Sequence, residues 1–153
     1  MTWREATRRK LAQRALERQL VYQQRKAEQV HGREDEIIVA MKRSSRRVRD
    51  LLETFQPIAF DARVIEVGSG AHGLIFYFGS QRGIGVDPLA VSYRSLFPRW
   101  QNCAQTVAAA GESLPFPDQR FDIVICDNVV DHAESPPKIV GELARILAPG
   151  GLL

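Results

Sequence analysis

The stretch VIEVGSGAHG, Val64 to Gly73, closes an apolar run with three glycines and one carboxylate. Gly68, Gly70 and Gly73 match G-x-G-x-x-G, a pattern that serves a dinucleotide, another adenosine cofactor or only a tight turn. A strand ending in such a loop before a helix brings backbone N–H groups and a helix N-terminus to one point, which favours a negatively charged or polar ligand. Glycine is needed there because a Cβ would block the ligand's approach. A second apolar run, GIGVDP, ends in Asp87, whose carboxylate can accept from two ribose hydroxyls. The two features together imply an adenosine-type cofactor, the alternative being a plain βα turn with Asp87 as a surface cap. Glu66, two residues before the first glycine, puts negative charge where a dinucleotide would place its pyrophosphate. A cationic ligand fits better.

The elements that must position these residues are short apolar runs separated by Gly, Pro and Asp, the alternation of βα units around a buried parallel sheet. Four strands are expected: Arg63 to Val67, Gly83 to Asp87, Gln105 to Ala109, and Phe121 to Asp127. LIFYFGS, apolar all round, predicts a short buried helix, Leu89 to Phe97 a helix that Pro98 stops, and Ser135-Pro136 the N-cap and first turn of another. The fold class is therefore α/β and Rossmann-like, with a mostly parallel sheet and helices on both faces. GLL after Gly150 resembles the start of a fifth strand, so the sequence is expected to be a fragment with strands five to seven missing. Its fourth strand would then be an exposed apolar edge that invites pairing with another chain.

Ahead of this domain, residues 1–57 predict a helical extension. Leu11, Ala15, Leu16 and Leu20 recur at helical spacing before Gly32, and Ile37, Ile38, Met41, Val48, Leu51, Leu52 and Phe55 form a second helical face that ends near Gln56, before Pro57. The extension is basic: residues 1–50 hold fourteen Lys/Arg against seven Asp/Glu, and the remainder seven against eleven. With 153 residues, 44% of them hydrophobic, the chain can bury a core of its own. No apolar run approaches a membrane span and no signal-type apolar segment follows the first residues, so a cytoplasmic protein is expected. Cys103 and Cys126 have no metal-type spacing and receive no chemistry.

At these residues the sequence resembles the class I S-adenosylmethionine-dependent methyltransferases, in particular the group called type 11, over about Ala62 to Leu153. VIEVGSGAHG is similar to the family's acidic-x-Gly-x-Gly loop, which implies that Gly68, Ser69 and Gly70 lie against the methionine and ribose of the cofactor, with Glu66 near its charged amino end. GIGVDP resembles the second motif, implying ribose binding by Asp87. GESLPFPDQRFDIVICDNVVDH resembles the third and fourth, which implies Gly111 and Glu112 beside the adenine and Asp127 to Asn128 at the strand end facing the cofactor. ELARILAPGGLL is similar to the helix and turn before the family's fifth strand. Two positions depart from the pattern: His72 stands where the family often has a glycine, and Ala110 where it often has an acid.

The acceptor side is less legible. Methyl transfer from a sulfonium depends mostly on positioning, so a protein base is optional. His132, just past the fourth strand, is the best general base available, the other reading being a histidine that orients its loop. A small-molecule methyl acceptor is expected. Two other functions stay open: a non-catalytic module binding RNA or a protein through KRSSRRVR, Lys42 to Arg49, and an NAD(P)-dependent oxidoreductase. Trp100 and Asp122 are expected to be structural.

Overall fold

The computed structural model describes residues 3–127, 129–130, 133 and 135–153. Two long helices, α1 (Trp3–Val30) and α2 (Glu34–Glu53), precede β1 (Arg63–Val67), a 3₁₀ turn (Leu74–Tyr77), β2 (Arg82–Val86), α3 (Ala90–Leu96), α4 (Pro98–Gln101), β3 (Gln105–Val107), β4 (Phe121–Ile125), α5 (Pro136–Ile146) and β5 (Leu147–Leu152). The five strands form one sheet in the order β3-β2-β1-β4-β5, all parallel. β1 is central, and the winding reverses between it and β4, which is where open α/β sheets hold ligands.

The sheet separates two apolar layers, and β1 shows why. Val64 points into a cluster with Met41, Ile75, Phe78, Phe97 and Trp100, while its neighbours Ile65 and Val67 join Val86, Leu114, Ile139, Leu143 and Ile146 on the other face. Successive side chains of a strand face opposite ways, so a run apolar at both parities is buried on both faces. Glu66 shares the face of Val64, and a carboxylate there must find partners.

Three expectations are corrected. The fifth strand is present and paired: Phe121 lies opposite Leu147 and Ile123 opposite Leu152. Three residues of β4 therefore lie against six of β5, a bulge that accommodates Pro149 and the two glycines after it without breaking the ladder. β4 is thus an inner strand, and the edges among the described residues are β3 and β5. Pro98 does not simply stop a helix but opens α4, since its missing N–H falls where a first turn leaves donors unpaired. LIFYFGS contributes a single 3₁₀ turn.

α2 is fastened to the α/β body. Ser45 is fully buried and its Oγ donates to the Leu74 carbonyl at 2.7 Å. Arg49 donates to the carbonyls of Ile58 (2.9 Å), Phe78 (3.1 Å) and Gly79 (3.3 Å), and Lys42 lies over the Tyr77 ring. Part of the basic run thus holds the helix in place. Asp122 pairs with the Arg63 guanidinium and accepts from the Arg63 N–H, the structural role expected of it. Among the described residues no helix is long and apolar enough to cross a membrane.

Candidate functional site

The loop after β1 is built by directing its donors inward. The N–H groups of Gly68 (2.7 Å) and Ser69 (3.0 Å) both reach the Val86 carbonyl at the end of β2. Gly70 N–H donates to Asp87 Oδ2 at 3.2 Å, and Leu74 and Ile75 N–H donate to the two Glu66 oxygens at 3.1 and 2.9 Å. These donors are therefore engaged within the protein, and the site departs from an anion-binding glycine loop, whose N–H groups face a phosphate. Gly68 and Gly70 hold positive φ angles of 78° and 55°, which a side chain would strain. Gly73 has another reason to be glycine: a Cβ there would stand 2.5 Å from Glu66 Oε2 and 2.6 Å from the Ser69 carbonyl. The third glycine of the sequence pattern makes room for the carboxylate.

Glu66 is 4% exposed. Burial pushes its carboxyl up to about 7, against the two backbone donors that favour its charged form, and the charge of Asp127 adds to the rise. Asp87 is also raised by burial, opposed by its hydrogen bonds from Leu89 and Gly70 N–H.

A second brace comes from residues the sequence did not single out for the site. Trp100, buried as expected, donates from Nε1 to the Ala71 carbonyl at 2.7 Å. Gln101 donates from Nε2 to the carbonyls of Gly70 (3.1 Å) and Ala71 (3.0 Å). His72 packs against Phe97 and Trp100 with ring centroids 5.1 and 5.3 Å away, and burial together with the nearby Lys26 lowers its pKa. Further along, α5 pins the segment after Gly111 and Glu112: Glu142 accepts from Leu114 N–H at 2.7 Å, and Arg145 donates to the carbonyls of Leu114 and Phe116. These contacts join residues roughly 30 positions apart, and no local spacing announces them.

The elements meet around a cleft of about 790 Å³ at the C-terminal ends of the strands. Its wall includes Gly68, Gly70, Asp87, Gly111 and Glu112, so five of the residues expected to bind a cofactor face one space. The volume suits a nucleoside-sized ligand. Glu66 and Ser69 stand behind that wall as buried supports, and Asp127 is exposed beyond the end of β4. Asn128 and His132 lie outside the described residues. The opposite wall is a surprise. Ala12, Ala15, Leu16, Gln19 and Gln23 of α1 line the cleft, and Tyr93 of α3, next to Gln19, is pushed up to about 12 by burial and the Asp87 charge.

Comparison with known proteins agrees with this geometry. The family model described as "Methyltransferase domain" matches residues 65–153. An uncharacterized methyltransferase of Mycobacterium leprae is 33% identical over 90 residues, covering 56% of this chain and 32% of that protein. The uncharacterized methyltransferase YcgJ of Bacillus subtilis is 36% identical over 95 residues, covering 58% of this chain and 38% of that protein. The crystal structure of YcgJ superposes with a TM-score of 0.55 and 29% identity, over 67% of this chain and 47% of that one. The chain thus spans about a third of the length of the curated relatives it matches. With its parallel sheet, its glycine loop after the central strand and a family match over more than half its length, the chain belongs to the methyltransferase domain family.

Proposed function

We propose that the chain binds S-adenosylmethionine in this cleft and directs its methyl group to a small-molecule acceptor. The observation that carries this reading is the accounting of the glycine loop. Its N–H groups at Gly68, Ser69 and Gly70 are engaged within the protein, while carboxylates at Asp87 and Glu112 line the cleft. Such a site disfavours the pyrophosphate of a nicotinamide dinucleotide and favours a ligand rich in hydroxyl and cationic groups. The cleft fits: Asp87 is buried beside the loop to receive ribose hydroxyls, Gly111 and Glu112 lie where an adenine would be held, and the open space over Gly70 is the kind a Cβ would narrow. When bound, the cofactor supplies a methyl group already activated on a sulfonium.

What the chain's own residues do is hold and orient. Trp100 and Gln101 fix the loop carbonyls, Glu66 fixes the loop's far end, and α5 fixes the segment carrying Glu112. Asp127 and Asn128, past the end of β4, are assigned to the cofactor edge, and His132 the role of proton acceptor, by position in the sequence. The test is calorimetric titration of the chain with S-adenosylhomocysteine, with NADH in parallel. Binding of the first alone supports the reading. A folded chain that binds NADH, or neither compound, overturns it.

A further inference from the structure

Two buried side-chain oxygens among the described residues have no hydrogen-bond partner: Gln101 Oε1 and Gln23 Oε1. A buried amide oxygen left unpaired is costly, and a site that tolerates one is suited to a ligand that satisfies it. Gln101 does not line the cleft, but Gln23, 8% exposed on α1, does.

Its neighbours on the helix place it along the cleft. Gln19, one turn earlier, stands beside Tyr93, whose hydroxyl feels the charge of Asp87. Lys26, one turn later, is near enough to His72 to lower its pKa. Residues three and four apart share a helix face, so Gln23 lies between the Asp87 end and the His72 end of the cleft that Gly70 and Ala71 also line. Under the proposed function, on which this inference rests, that is where the amino-acid tail of the cofactor would lie.

The tail carries an ammonium group and needs an acceptor. The sequence assigned that part to Glu66, yet both Glu66 oxygens already receive backbone N–H groups and the side chain is buried behind the loop. We propose that Gln23 of α1 is a ligand-binding residue whose side-chain carbonyl accepts a hydrogen bond from the cofactor's ammonium group. The N-terminal helix is then part of the cofactor site, although it precedes the residues that match the family.

The experiment is calorimetry on the whole chain and its Gln23→Leu and Gln23→Glu variants with two probes. S-adenosylhomocysteine carries the amino-acid tail, and 5′-methylthioadenosine is the same nucleoside without it. Gln23→Leu is expected to lose about tenfold in affinity for the first and nothing for the second, while Gln23→Glu, which keeps an acceptor, binds the first at least as well as wild type. Equal losses for both probes would mean that Gln23 only shapes the wall, and would overturn the assignment. So would unchanged binding in Gln23→Leu, the result expected if water meets the carbonyl, or Gln23→Glu binding more weakly than Gln23→Leu, the sign of a carboxylate neighbour. If wild type binds neither probe, the proposed function falls and this inference with it.

Discussion

The indole N–H of Trp100 donates to the carbonyl of Ala71 at 2.7 Å, tying α4 to the turn of the glycine loop across 29 positions of sequence. Gln101 donates to the same carbonyl. The loop is therefore held by its oxygens from outside and by its N–H groups from beneath.

Trp100→Phe keeps most of the ring and removes the donor, so it is expected to cost about 1 kcal/mol of stability. Affinity for S-adenosylhomocysteine should fall as well, because the loop loses one of its anchors. A denaturant titration and calorimetry on the same sample check both. Full affinity in the variant would show that Gln101 alone suffices.

Glu66 makes stability depend on pH. Its carboxyl rises from an ordinary value of 4.5 to about 7 on folding, so the native state holds more protons than the unfolded chain between these limits. Stability from this group is then fully present below pH 4.5 and lost as pH rises through 7. Relative to Glu66→Gln, wild type should lose up to about 3 kcal/mol between pH 4.5 and 8, from 1.36 kcal/mol per unit. Chemical denaturation of both proteins across that range reads the difference, and a flat or rising difference would contradict the burial argument.

The two glycines of positive φ should respond differently to the same change. A Cβ on Gly68 would stand 2.1 Å from Val129 Cγ2, whereas one on Gly70 meets nothing closer than 3.9 Å. Gly68→Ala is expected to cost about 2–4 kcal/mol from strain and overpacking together, and Gly70→Ala about 1–2 kcal/mol from strain alone. Thermal denaturation of the pair tests the order, and the gap closes if Val129 moves aside freely.

Asp87→Ala removes the acceptor of Gly70 N–H and Leu89 N–H as well as the proposed ribose contact. Affinity for S-adenosylhomocysteine is expected to fall by about 1.5–3 kcal/mol, the range for a hydrogen bond to a charged group. Unchanged affinity in a folded variant would remove Asp87 from the binding site.

Arg49→Ala strips three carbonyls of their donor at the joint between α2 and the sheet. About 2–3 kcal/mol of stability should go with it, with cofactor affinity unchanged, since Arg49 does not line the cleft. Loss of RNA binding without loss of stability would instead favour the basic helices as a phosphate-binding face.

Much of this was legible in the order of residues. Strand β1 matched its expected span because Arg63 to Val67 is apolar at both parities and bounded by turn residues, and Gly68, Gly70, Asp87, Gly111 and Glu112, expected at a cofactor site, line one cleft because they follow strands that a parallel sheet ends on one edge. Periodicity and turn chemistry are local, so they survive in one dimension. Only the start of the fifth strand was legible, after Gly150; its earlier residues from Leu147 and its pairing were not, because Pro149 and the glycines after it disfavour a strand and only the bulge against β4 makes them tolerable. Which groups line the cleft was decided in three dimensions. Glu66 looked like a ligand contact and became a support for the loop, while Gln23, unremarkable in a polar helix, came to line the cleft with an unpaired oxygen. The physical reason is that a hydrogen-bond partner is chosen by distance in space, and α1, α4 and α5 deliver their side chains to the site from far along the chain.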